Sequence, residues 1–268
     1  MAFIVRELTH DRPWINLRFA ARGNFPLLVF FIFFFRLVIL STSYIIPQYL
    51  TVIHNFRAIE IGGVLMWIAL PQLLIAPIIA TILRFVDPRI TMAFGFVLIG
   101  CACFMAGQLT GDWAGGDFLP SQIIQAIGQT LALTSVVWFI VKHLNPSEIL
   151  TFGAVLQTAR LFGGELGTAL VQTFLRVQEQ IYSNLTGLHV AIGSALTDQR
   201  LQGYARAVGD RSIGDTQAHS RATALVARAV QNQANVLSYI DGFMVLGFAV
   251  IGALLFMLLL RDPPAQAA

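Results

Sequence analysis

The stretch "FFIFFFRLVILSTSYIIPQ", residues 30–48, is apolar over most of its length and sets one arginine, Arg36, near its centre. About 20 apolar residues rising 1.5 Å each cross roughly 30 Å of hydrocarbon, so a run of this length suits a bilayer better than a soluble core. Composition agrees. Of the 268 residues, 56% are hydrophobic and only 12% charged, where soluble domains carry about 25% charged residues. The runs are continuous rather than short and alternating, which predicts helices instead of a barrel. The chain thus reads as an all-α integral membrane protein.

Outward from this stretch the same pattern recurs, and six spans are predicted at 26–50, 61–83, 90–109, 119–141, 149–175 and 237–260. Pro47, Pro71 and Pro77 fall inside spans, where neighbouring helices can satisfy the freed carbonyls, and kinks are expected there. The resulting organisation is an amphipathic arm at 1–25, five helices over 26–175, a long outer loop at 176–236, a sixth helix at 237–260 and a tail at 261–268. The outer loop is expected to be helical, because Ala222, Leu225, Val226 and Ala229 share one helical face. Three spans followed by three more fit the inverted repeats of many secondary carriers.

The charge of +3 follows the membrane rather than any single patch. Arg6, Arg12, Arg18, Arg22, Arg84, Arg89, Lys142 and Arg261 fall on the side that holds both termini, and Arg57 alone occupies the opposite short links. Positive charge marks the cytoplasmic side, so both termini are expected in the cytoplasm of a multi-pass protein of the bacterial inner membrane. Residues 1–25 lack the apolar core and small-residue cleavage site of a secretory signal, and the first span is expected to direct insertion. Cys101 and Cys103 sit two apart on one helix, where their side chains diverge too far to bridge.

A charge at mid-span costs about 2.5–3.5 kcal/mol on insertion scales, so such residues normally face protein or a wet cavity. Arg36 shares its face with Ser43 and Pro47, which makes an inward polar stripe on the first span. In the fourth span Gln122, Gln125 and Gln129 recur on one face beside Gly128. Their amides both donate and accept, which suits either a water-lined path or hydrogen bonding between helices.

The fifth span, "VLQTARLFGGELGTALVQ" at 155–172, holds Arg160 on the face of Gln157, Gly163, Gly164 and Gly167. These glycines predict close approach by a neighbouring helix, with Arg160 at the edge of the contact. Glu165 lies about 140° around the same helix, near Thr158, Thr168 and Gln172, so the two charges cannot neutralise one another there. Burial raises a carboxyl pKa, and a carboxyl that loads and unloads a proton is what a proton-coupled carrier needs. Glu165 is the candidate proton site, and a static pair with Arg36 or another buried donor is the alternative. Arg36, Arg160, Gln157 and the three glutamines of the fourth span are the candidate path residues.

Other signatures lead nowhere. "GGDF" at 115–118 occupies a link of about nine residues between spans, too short for any catalytic domain. His10, His54, His143, His189 and His219 are spread over separate loops, so no metal-ligand spacing exists. No phosphate-binding glycine loop or nucleophile elbow is present. Neither an enzyme nor a cofactor, a metal site or a nucleic-acid partner is expected.

Several stretches together are similar to a known family. They are "IPQYL", "GGVLMWIALPQLLIAPIIA", the link "RFVDPR", "GAVLQTARLFGGELGTALVQ" and, beyond the long loop, "YIDGFMVLGFAVIGALLFMLLLRDPP". In this order they resemble the last six helices of the fourteen-helix drug:proton antiporters, the EmrB/QacA-like (DHA2) branch of the major facilitator superfamily. The resemblance implies one six-helix half with a 3+3 inverted repeat and a long helical outer loop. It also implies proton-driven export of small hydrophobic or amphipathic compounds by alternating access between two halves. Ala80 stands where that family's loop would have a glycine, and Arg36 where an uncharged residue is expected. The missing half implies a truncated or split chain, whose partner is an N-terminal half or a second copy. A non-transporting interaction or regulatory protein of the membrane, or a half-carrier working as a dimer, is the competing expectation.

Overall fold

The computed structural model describes residues 25–141, 149–189, 199, 203 and 215–257. The amphipathic arm, the 142–148 link, the tail and all but two residues of 190–214 lie outside the described residues. What is described is helical, without strands: α1 Phe25–His54, α2 Ala58–Ile82, α3 Pro88–Ala106, α4 Leu119–Val141, α5 Ile149–His189 and α6 Asp215–Met257. Pro47 lies within α1, and Pro71 and Pro77 lie within α2.

Local chemistry fixes where the helices start and stop. Asn55 takes a left-handed conformation, φ 54°, and its N–H bonds back to the Thr51 carbonyl at 3.1 Å, which ends α1. Asparagine is one of the few residues that adopts this conformation readily. At the start of α2 the Glu60 carboxylate accepts from the Arg57 N–H at 2.7 Å. In "RFVDPR" Asp87 is the N-cap of α3, accepting from the Arg89 N–H at 2.9 Å, with Pro88 in the first turn. Proline suits that position because its missing N–H would have no partner there.

Four helices, α1, α3, α4 and α6, enclose the core, with α1 touching α4 and α6 and α3 touching the same two. The fifth, α5, flanks this group against α1 and α6, and α2 flanks it against α4. Only Val64 and Ile79 of α2 are buried, and Leu73 and Leu74 are about three-quarters exposed. Ile78, Phe94, Phe162, Phe248 and Leu255 are likewise more than half exposed. Apolar surface of this extent belongs against hydrocarbon or another protein, not water. Among the described residues α1, α2, α3 and the Ser220–Met257 part of α6 are long and apolar enough to cross a membrane. Two expected spans, α4 and α5, are long but carry more polar groups, Gln122, Gln125 and Gln129 in one and Gln157, Arg160 and Glu165 in the other.

Helix packing relies on glycine at two seams. A Cβ added at Gly95 would lie 2.6 Å from the Ala132 nitrogen, and one at Gly128 would lie 2.8 Å from the Gly95 oxygen, so α3 and α4 meet backbone to backbone. On α5 a Cβ at Gly163 would strike the Phe33 carbonyl, and one at Gly167 would lie 2.5 Å from the Leu37 carbonyl oxygen. A four-residue step on α5 thus matches a four-residue step on α1, which means the two helices run parallel.

Neither long helix breaks where the loop was expected to begin or end. α5 continues past 175 to His189, and α6 begins at Asp215. They are fastened at Asp241, whose Oδ2 accepts from Gln178 Nε2 at 2.8 Å and from the Tyr182 hydroxyl at 2.7 Å. That hydrogen bond, with burial adding to it, holds the Tyr182 phenol above its ordinary range. Asp241→Ala leaves both donors without this acceptor, a loss of roughly 1–3 kcal/mol. Amide exchange should quicken in 176–189 while α3 and α4 stay protected; unchanged exchange there would mean that apolar packing alone joins the two helices.

Candidate functional site

Arg36 and Arg160 each stand eleven residues from the start of their helix, and the pairing of Gly163 with Phe33 and of Gly167 with Leu37 sets Arg160 six residues, about 9 Å, nearer the start of α1 than Arg36. Seen down the two parallel axes, Arg36 is about 60° to one side of Phe33, and Arg160 is about 60° in the opposite sense from Gly163. Opposite senses on facing parallel helices bring both arginines to the same flank of the α1–α5 seam. Each is half-buried. The Nε of each is buried without a hydrogen-bond partner among the described residues.

Glu165 is exposed on α5, as are Gln157, Thr158 and Gln172, and Thr168 is half-buried. Gly163, Gly164 and Gly167 are buried against α1, where Gly164 meets the Leu40 side chain.

The glutamines of α4 sit deeper. Gln122, Gln125 and Gln129 are 0%, 4% and 7% exposed, which places them in the interior rather than on an open face. Gln125 Nε2 donates to Thr42 Oγ1 of α1 at 2.6 Å, and Gln129 Oε1 accepts from Gln72 Nε2 of α2 at 2.7 Å. Gln122 has neither amide atom paired among the described residues. Sequence periodicity found the face, and its neighbours α1 and α2 needed the fold. Gln72 and Asp241 escaped the sequence reading, although an acid inside "YIDGF" was a signal open to it.

Helices long and clad in apolar side chains define a multi-pass membrane protein. Its relatives are transporters, not enzymes. The chain is 24% identical over 271 residues to the MFS-type transporter YhcA of Bacillus subtilis, an overlap covering 98% of this chain and 49% of that protein. It is 26% identical over 203 residues to the colistin resistance protein EmrB of Acinetobacter baumannii, covering 74% of this chain and 38% of that one. With the multidrug export protein EmrB of Escherichia coli K12 it shares 21% identity over 238 residues, covering 88% and 44%. The chain spans about half the length of these relatives or less. No protein-family model matches it.

Proposed function

We propose that this chain forms one six-helix half, the C-terminal one, of a proton-coupled carrier that exports hydrophobic or amphipathic compounds from the bacterial cytoplasm. The observation that carries the reading is the set of polar groups well inside apolar helices, Arg36 on α1 and Gln157, Arg160 and Glu165 on α5. Retaining charge at that depth is costly unless a wet or protein-lined route passes it. The kinship with export and resistance proteins supports the same reading.

Helix pairing supports a 3+3 arrangement. Exchanging the first three helices with the last three turns α1–α5 into α4–α2 and α1–α6 into α4–α3, and all four of these pairs are in contact. The α1–α4 and α3–α6 contacts map onto themselves. The extensive α5–α6 contact is the exception, and it is the pair that the Asp241 fastening joins.

In this scheme α4 and α5 cross the membrane with the others, both termini are cytoplasmic, and the exposed faces of α2 and α5 meet the other half. Glu165 exchanges the proton, Arg36, Gln157, Arg160 and Gln122 line the path, and Gln125 and Gln129 hold α1 and α2 against α4 through Thr42 and Gln72. Proton-driven efflux from cells carrying the natural protein should fall with Glu165→Gln to about the level of cells lacking it, at equal amounts in the membrane. Undiminished efflux would remove Glu165 from the proton path. Absence of efflux in the natural protein would favour a non-transporting role.

A further inference from the structure

We infer that the junction of α1, α2 and α4 holds an internal water site, in which ordered water is bound by the Gln122 amide and shared with the Gln129 Nε2. Gln122 is fully buried, and neither its amide oxygen nor its nitrogen has a hydrogen-bond partner among the described residues. The Gln129 Nε2 is buried and unpaired in the same way. A dry, unpaired amide carries the full cost of its desolvation, whereas water both donates and accepts and so satisfies either end. The inference goes beyond the carrier reading and does not need it.

Register explains why no side chain of the neighbouring helices does the same. Tyr49 of α1 packs on Phe118 just before α4, and Thr42 receives the Gln125 amide, a step of seven residues on each chain segment in opposite directions. Gln122 therefore stands level with Ile45. α2 runs parallel to α4, with Val64 seated at Gly115 and Gln72 bonded to Gln129, and by the same count it brings Leu65 to this level. Both neighbours offer hydrocarbon.

Polar company comes from α4 itself. The Gln125 Nε2 is already given to Thr42 Oγ1 at 2.6 Å. Gln129 lies seven residues on, about 20° around the helix and about 10 Å along it, so the two unpaired amides face one strip that water can bridge. With no exposed surface at Gln122, the site is closed to anything much larger.

The sign of a stability change tests this, because methionine nearly matches glutamine in shape and has no amide. In the natural full-length protein in nanodiscs, Gln122→Met should lower the melting temperature by about 2–4 °C, the shift that one hydrogen bond makes in a chain of this size. A dry amide would give a rise instead. Gln129→Met should lower it too, and the double variant should lose less than the sum of the two, since the water is shared. Gln125→Met, which loses the Thr42 bond under any reading, calibrates the scale.

A structure of the natural protein fine enough to place solvent should show water bonded to the Gln122 amide, and it decides the matter where a variant does not fold or where the two measurements disagree. A melting temperature raised or unchanged by Gln122→Met, strict additivity in the double variant, or an amide that meets a protein side chain or nothing would each overturn the inference.

Discussion

Gly167→Val is expected to lower the melting temperature of the detergent-solubilised protein sharply, and the double variant with Gly163→Val is expected not to fold. The cause is the identity of the atoms in the way. A Cβ at Gly167 would lie 2.5 Å from the Leu37 carbonyl oxygen and 2.8 Å from its Cα, and one at Gly163 meets the Phe33 carbonyl. Side chains can change rotamer to admit a methyl group, but helix backbone can only move as a rod. Overpacking in adaptable cores costs about 1–3 kcal/mol, and a seam limited by backbone lies at the upper end or beyond.

The control lies in α2. Nothing comes within 4 Å of a Cβ added at Gly62 or Gly63. Gly62→Ala and Gly63→Ala should therefore be neutral or raise stability by up to about 1 kcal/mol through helix propensity. If Gly167→Val melted with the parent, the close seam would be wrong, and with it the common flank of Arg36 and Arg160.

Legibility in the sequence follows the range of the interaction that decides each feature. The apolar runs of α1, α2, α3 and α6 were legible because a bilayer demands a length and a composition of one segment at a time. Gly163 and Gly167 announced a close contact, yet nothing local to α5 could say that Phe33 and Leu37 would be the surface met. Gly95 and Gly128 make an equally close contact and were not read as one. Their only signal was a small residue at an otherwise apolar position.

The candidate site divides the same way. That Arg36 and Arg160 fall within long apolar stretches was readable from each stretch alone. That they share a flank depends on α1 and α5 running parallel in one register, which emerges only from tertiary packing. For the α4 glutamines the periodicity allowed either a wet path or helix-to-helix bonding, and the choice of neighbours rests with Thr42 on α1 and Gln72 on α2.

The second large effect is expected at the far end of α1. Tyr49 is fully buried, and its hydroxyl donates to the Thr110 carbonyl at 2.6 Å and lies 3.0 Å from that of Trp113. Its ring stands edge-on to Phe118 at 5.5 Å and to Tyr239 at 5.8 Å. One side chain thereby ties α1 to α6 and to the 107–118 link, which also holds itself through Asp117 accepting from the Ala114 N–H at 2.8 Å. Removing a buried aromatic costs about 3–5 kcal/mol in packing alone, so Tyr49→Ala should strongly destabilise the fold. Tyr49→Phe keeps the ring and loses only the donor, for about 1 kcal/mol. Hydrogen exchange sorts the two contributions. Tyr49→Phe should loosen 107–118 without touching the α1–α5 seam, whereas Tyr49→Ala should expose the upper turns of α1 and α6 as well. Protection of 107–118 that survives Tyr49→Ala would mean that the link is held by Trp113 and Phe118, whose rings pack edge-on at 5.3 Å, rather than by α1.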